Sequence, residues 1–396
     1  MDDIDHRNLG TRLDLWHIQE DAPGMVFWHP RGNTLYRILE DYIRRRMRRL
    51  GYAEVRTPQL LPRKLWIESG HWEKFGAHMF NFPDGERPMA LKPMSCPCHV
   101  QIFNRGLRSW RDLPVRYAEF GVCHRDEPSG SLHGLMRTRG FEQDDAHVFC
   151  REEDVPGEIA RFVALLSEVY ADFGFPEPEV SLSTRPLARA GSDELWDWAE
   201  QTLAAAARQR SLSYKIQPGE GAFYGPKLEF ALRDRLGRSW QCGTVQLDSV
   251  LPKRLNASYV GSDGDRTTPV MIHHAVFGSI GRFIAMLLEH YAGALPFWLS
   301  PDQVAVAPIS HDYSEYATKV LDVLGAEGVR GVLFDSADTL SRRIVAAHAA
   351  SIPVVAVVGQ REAEQGTVSL RERAGAVSVL PLDDAVRVLR RRASPG

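Results

Sequence analysis

The sequence predicts an α+β domain, an antiparallel sheet flanked by helices, followed by a small α/β module. Three observations carry this expectation. Over residues 113–150 the text alternates like paired strands, VRYAEFGVCHR and then LMRTRGFEQDDAHVF, around the turn-rich DEPSGSLHG. A second such stretch runs through LEFALRD and SWQCGTVQL. Beyond GALPFWLSPDQ, whose two prolines break the pattern, strand-like and helix-like runs take turns to the end of the chain.

In chain order, the first strong element is a long helix with Asn33 as its N-cap and Gly51 just past its end. Leu35, Ile38, Leu39, Tyr42, Ile43, Met47 and Leu50 form its apolar stripe. The opposite face, with Arg44, Arg45, Arg46, Arg48 and Arg49, reads as solvated. After the two strand pairs, a helix over residues 279–291 leads to the prolines, which set the expected domains at 1–298 and 302–396. In the second, VAVAP, GVLF, PVVAVVG and TVSLRER are strands; residues 313–324, TLSRRIVAAHA and an Arg-rich end are helices. The continuous apolar runs suit a sheet covered on both faces.

Composition bounds the function. At about 150 residues per domain, 396 residues hold two or three domains. No apolar run nears the roughly 20 residues that cross a bilayer, and the start, MDDIDHRNLG, is acidic where a secretion signal is basic then apolar. A cytoplasmic protein away from membranes is expected. Five cysteines, an odd number, fit free or metal-bound thiols rather than a disulfide framework. The net charge of -3 gives no global field for nucleic acid, so any RNA contact needs local arginine and lysine clusters and should depend on salt.

The chemistry concentrates around FGVCHRDE and PSGSLHGLMRTRGF. An arginine on a strand and further arginines on the returning strand can converge on a polyanion, because guanidinium groups present forked donors to phosphate. There is neither a P-loop nor a dinucleotide fingerprint, which disfavours the usual NTP and NAD folds.

Together FGVCHRDEPSGSLHGLMRTRGFEQDDAH, SCPCHVQIF, EGAFYGPKLEF, WQCGTVQLD and HHAVFGSIGRF resemble the threonyl-tRNA synthetase family, in family order and across essentially the whole chain. The resemblance implies a class II synthetase catalytic domain, an anticodon-binding-type α/β domain, and a homodimer formed near Pro58, which resembles the first class II signature. Larger members carry N-terminal domains, one of which hydrolyses mischarged product; this sequence starts at the catalytic core, so a form without the editing domain is expected.

The resemblance also implies residue roles. Residues 117–141 are similar to the second signature: Arg125 would hold the α-phosphate of ATP, Glu127 read the adenine amino group, Arg137 reach the γ-phosphate and Phe141 stack on the base. Residues 278–283 are similar to the third, with Arg282 bracing adenine and γ-phosphate and Ser279 beside it. Lys227, Gln241 and Gln246 would line the same pocket, Gln241 on the amino-acid side. Mg2+ would sit on ATP oxygens, with Glu229 as its candidate protein ligand. Cys96, His147 and His273 match the family's zinc ligands, an open site in which Zn2+ takes the amine and hydroxyl of threonine. Asp145 and Tyr224 would face the substrate ammonium, Gln143 its carboxylate, and His71 the terminal ribose of the RNA. On spacing alone the trio is no zinc motif; the family strings around it make it one.

Departures accompany these matches. The family's NCPGH reads SCPCH, so Ser95 and Cys98 flank Cys96; His274 stands for an arginine and Gly281 for a glutamate. In the C-terminal module DSADTLSRR places Ala337 and Ser341 where asparagine and glycine are usual, while Glu364, Gly366, Arg371 and Arg373 are kept. Arg342, Arg343, Arg371 and Arg373 are candidate RNA contacts, set against ordinary solvated charges. The expected activity is threonine-tRNA ligase with ATP, Zn2+, Mg2+ and tRNA(Thr), as a housekeeping enzyme or a second copy for special conditions. Alternatives are a paralogue that delivers threonine to a non-tRNA acceptor, and a non-catalytic tRNA-binding regulator.

Overall fold

The computed structural model describes residues 4–82, 87–235 and 237–395. It divides into two compact units, one of residues 18–26 and 39–286, the other of residues 1–17, 27–38 and 287–396. Among the described residues no helix is long and apolar enough to cross a membrane.

The long helix α1, Pro30–Arg49, begins a turn earlier than Asn33. Pro30 explains the shift: its fixed φ suits the first helical position, where no N–H is needed. Gly51 ends the helix at φ +81°.

An eight-stranded sheet dominates the first unit. Its strands are β1 (Ala53–Glu54), β2 (Val115–His124), β3 (Gly140–Cys150), β4 (Glu179–Ser183), β5 (Tyr214–Gln217), β6 (Lys227–Arg233), β7 (Ser239–Asp248) and β8 (Val270–Ala275), in the order β5-β4-β6-β7-β8-β3-β2-β1. Only the outer pairs, β5 with β4 and β1 with β2, are parallel. The antiparallel sheet is thus as expected, with one correction: the strand after the turn starts at Gly140, and the preceding arginines lie in a loop. That loop's backbone bonds within itself, His133 N–H to Arg137 O at 3.1 Å, and to the segment before α1, Arg139 N–H to Gly24 O at 2.8 Å, instead of joining the ladder.

Helices α2 (Cys96–Phe103), α3 (Val155–Asp172) and α4 (Asp193–Gln209) follow. α3 packs on β7 and β8, and α4 on β4 and β6, through the buried residues Phe162, Leu166, Val169, Trp196 and Leu203. Helix α5 spans Ile280–His290.

In the other unit, strands β9 (Val304–Pro308), β10 (Gly331–Leu333), β11 (Val354–Val358), β12 (Thr367–Glu372) and β13 (Val377–Pro381) order as β10-β9-β11-β12-β13. Val304 and Val306 join one apolar cluster and Ala305 and Ala307 another, so both faces of β9 are covered. Helices α6 (Ser314–Ala326) and α8 (Leu382–Arg392) cover the first face and α7 (Leu340–Ala349) the second. β13, VSVLP, was not expected; its residues are mostly exposed, Val377 and Val379 included.

Candidate functional site

Strand alternation assembles one face of the large sheet. On β3, Phe141, Gln143, Asp145 and His147 point the same way, since side chains alternate with a period of two. Register then lines up their neighbours: His147 lies opposite Tyr117 on β2 and His273 on β8, and His273 opposite Gln246 on β7. Lys227 on β6 sits opposite Gln246, extending the same face.

Three buried side chains converge at one end of it. Cys96, at the start of α2, His147 and His273 bring ligand atoms within 4.8 Å of one another. His147 Nε2 and His273 Nδ1 are 3.0 Å apart. Burial, followed by the neighbouring His99, pushes the His147 pKa well down and keeps the ring neutral, as a metal ligand must be. Burial likewise pushes the Cys96 thiol well up, so a thiolate there needs a cation beside it. One sulfur and two imidazoles suit a tetrahedral ion with bonds of about 2.3 and 2.0–2.1 Å and a position left open. The donor set fits zinc.

Cys98 does not join this group; its thiol lies by Thr57 and Lys92, and burial raises it to about 11. A second cluster, Asp5, His6 and Glu289, belongs to the other unit. There Arg7 engages both oxygens of Asp5 at 2.9 Å, which makes it an ion-pair network.

The arginines gather on the same sheet face. Arg125 lies over the Phe141 ring at 5.0 Å and donates to Pro93 O at 3.3 Å. Arg137 Nε is 3.4 Å from Glu127 Oε2. Arg282 donates to Met136 O at 2.9 Å and Gln241 O at 2.8 Å. Burial first, then the cations Arg125 and Arg137, pull its pKa down, so three guanidinium groups feel one another. Such mutual repulsion is relieved by a bound polyanion. Ser279 bridges to Gln143, and its hydroxyl takes the Arg282 N–H at 3.4 Å. The turn before α5 needs Gly278, at φ +70°, where a Cβ would meet Cys242 O at 2.6 Å.

The remaining candidates fill the floor. Tyr224 stacks on His273 with ring centres 5.1 Å apart and donates to Gln246 Oε1 at 2.9 Å. Lys227 pairs with Glu229 at 2.8 Å, and Glu229 also takes the Ser183 hydroxyl. His71 is brought to the cysteine: it is fully buried, with Nδ1 on Ser69 Oγ at 2.8 Å and Nε2 on Cys96 Sγ at 3.5 Å. Burial lowers its pKa to about 3. In the other unit Arg343 is buried and donates to Phe334 O at 2.9 Å, whereas Arg342, Arg371 and Arg373 are exposed.

Four residues with no place in the sequence reading back this site. Asp248 accepts from His273 Nε2 at 2.9 Å; His99 Nδ1 lies 2.8 Å from His147 Nδ1; Glu119 and Lys92 stand behind His99. One signal was available for His99, which follows Cys96 at the helical spacing i, i+3 and so shares its face.

Comparison with known proteins shows the family. Residues 80–291 match the model of the tRNA synthetase class II core domain (G, H, P, S and T), and residues 303–392 that of the anticodon binding domain. A threonine--tRNA ligase of Caulobacter vibrioides is 56% identical over 393 residues, covering 99% of this chain and 60% of that protein. One from Gluconobacter oxydans is 53% identical over 392 residues, covering 98% and 61%. The chain therefore spans about 60% of the length of the curated relatives it matches. The crystal structure of the RNA binding domain of threonyl-tRNA synthetase from Cryptosporidium parvum Iowa II aligns over 99% of both chains at TM-score 0.96 and 40% identity. A Giardia lamblia prolyl-tRNA synthetase, 17% identical at TM-score 0.73 over 97% of this chain and 79% of that one, shares the fold alone.

Proposed function

The chain belongs to the class II tRNA synthetases, among the threonine--tRNA ligases, and from that premise we propose that it activates L-threonine with ATP and transfers it to tRNA(Thr). The observation that carries this is the convergence of Cys96, His147 and His273 beside a sheet face lined by arginines. Cys96, His147 and His273 would hold zinc there, and the ion would supply Lewis-acid coordination for the amine and hydroxyl of the substrate.

The threonine carboxylate is ionised at neutral pH and attacks the α-phosphate in line, pyrophosphate leaving. The protein needs no base; it positions and neutralises charge. Arg125 holds the α-phosphate, Arg137 and Arg282 the γ-phosphate, while Phe141 and Glu127 take the adenine. Asp145 and Tyr224 meet the ammonium, Gln143 and Gln241 the rest of the amino acid, and Lys227 and Gln246 line the floor. Mg2+ would come with ATP, and Glu229 would have to give up Lys227 and Ser183 to hold it. His71 holds the Cys96 sulfur in place, and work at the terminal ribose requires its ring to swing out.

The anticodon-binding-type domain, for which we keep the boundary at 302–396, offers the exposed Arg342, Arg371 and Arg373 to RNA. A homodimer through the edge strand β1 is supported by the exposure of Ala53, Glu54, Arg56, Pro58, Gln59 and Leu60. We place the protein in the cytoplasm. Threonine-dependent pyrophosphate exchange tests activation and charging of total tRNA tests the acceptor. Exchange and charging are both expected; no exchange overturns the proposal, and exchange without charging overturns the acceptor.

A further inference from the structure

Behind the candidate metal site lies a buried hydrogen-bond chain whose directions can be worked out from one end. Glu119 accepts four donors: Thr57 N–H at 2.7 Å and Lys92 Nζ at 3.1 Å on Oε1, the Thr57 hydroxyl at 2.9 Å and His99 Nε2 at 3.0 Å on Oε2. Lys92 also donates to the Thr57 oxygen at 2.8 Å, so that hydroxyl proton must point at the carboxylate. An ionised carboxylate is an acceptor only, hence the His99 proton sits on Nε2.

Lys92 and His99 are both fully buried beside Glu119, and the His99 ring turns its other nitrogen, Nδ1, toward His147. A metal ion held by His147 through Nε2 requires that ring's own proton on Nδ1. This N–H faces His99 Nδ1 at 2.8 Å, and the bond of His99 to Glu119 through Nε2 presents Nδ1 as its acceptor. The remaining nitrogen of His147, Nε2, is left with its lone pair directed at His273 Nδ1 and Cys96.

We propose that Lys92, Glu119 and His99 are positioning residues that fix His147 in the tautomer able to bind metal through Nε2. The inference deepens the zinc reading above and rests on it. His273 is set the same way from the other side, because Asp248 takes its Nε2–H and bares Nδ1. In these two tautomers the nitrogens that face each other at 3.0 Å both present lone pairs, the arrangement a metal cation requires.

The test uses the full chain with His99→Leu and His99→Asn. Zinc affinity is read by competition with a chromophoric chelator, and the melting of the metal-free protein is recorded alongside. His99→Leu strands the His147 N–H and should weaken zinc binding about 10- to 100-fold. His99→Asn offers a carbonyl near the position of Nδ1 and should keep affinity within a few-fold of wild type. Long-range 15N–1H correlation of histidine-labelled, metal-free protein should report the Nδ1–H form of His147. Wild-type affinity in both variants, equal loss in both, or an Nε2–H tautomer would overturn the relay. A wild-type chain that takes up no zinc and exchanges no pyrophosphate would instead overturn the functional reading, and the relay with it.

Discussion

Replacing Asp248 by asparagine should weaken the metal site without removing a contact. Asp248 is fully buried. Its Oδ1 accepts Val250 N–H at 2.7 Å and Leu251 N–H at 2.9 Å, and its Oδ2 accepts His273 Nε2 at 2.9 Å. An asparagine amide has only one orientation available. With its NH2 toward the two backbone donors, those N–H groups would go unsatisfied at about 1–3 kcal/mol each, so the carbonyl stays there. The NH2 must then face His273 Nε2, which has to become an acceptor. Its proton moves to Nδ1, the atom 3.0 Å from His147 Nε2, and a hydrogen bond closes where two lone pairs had faced each other. Both nitrogens are withdrawn from the metal. Loss of a partner behind a ligand typically costs 10- to 100-fold in affinity, and a forced tautomer belongs at the upper end, about 100-fold or about 2.7 kcal/mol. Chelator competition measures it, with melting of the metal-free variant expected at or above wild type. Asp248→Asn that binds zinc within a few-fold of wild type, with its fold intact, refutes the tautomer reasoning.

Gly278→Ala forces a side chain into φ +70° and against Cys242 O, so stability should fall by about 1–2 kcal/mol or more, and pyrophosphate exchange should drop as Arg282 moves; unchanged ATP dependence would contradict the role given to that turn. Burial raises the Glu119 pKa, but the His99 hydrogen bond and the Lys92 charge outweigh it and hold it at about 2, below its ordinary 4.5. A depressed carboxylate contributes stability above its unfolded value and loses it as pH falls from 4.5 towards about 2. Urea unfolding across that window should therefore show a flatter pH slope in Glu119→Gln than in wild type. Serine, lacking only a methyl worth about 1–3 kcal/mol, should give measurable pyrophosphate exchange, and valine, lacking the hydroxyl, almost none; equal exchange with valine would sink the metal-based selection. Arg371→Ala should weaken tRNA binding and lower its salt slope by about one charge, whereas Arg343→Met should reduce thermal stability and leave tRNA affinity unchanged, as gel-shift titrations at several salt concentrations will tell.

Much of the fold was legible because local pattern and tertiary environment agree. The alternation of Val115–His124 reflects a strand with one face buried and the other half-buried. Val304–Pro308 and Val354–Val358 were readable as continuous apolar runs because both faces are covered. Where a local signal competed with another, the reading slipped: Asn33 makes a good cap, but Pro30 can open the helix earlier. The exposed strand Val377–Pro381 and the short helix Gln360–Gln365 were passed over: the valines of the first face solvent and bury no stripe, and the second is a polar segment of six residues. In the site, the motif-bearing residues stood out through long, rare strings, while Lys92, His99, Glu119 and Asp248, which no motif reading singled out, surround them.

Sequence by itself determined the α+β class and the order of elements, because these are written in periodicity, and its long strings of neighbouring residues gave the candidates for ATP, an amino acid and a metal through the family they resemble. Only tertiary structure decided that Cys96, His147 and His273 meet, that His71 turns inward, that Arg343 serves the fold and that Glu119 speaks to His147 through His99. The physical reason is sheet register. Which side chains sit opposite one another on adjacent strands depends on the pairing of segments far apart in the chain, and the direction of a buried proton depends on every acceptor around it.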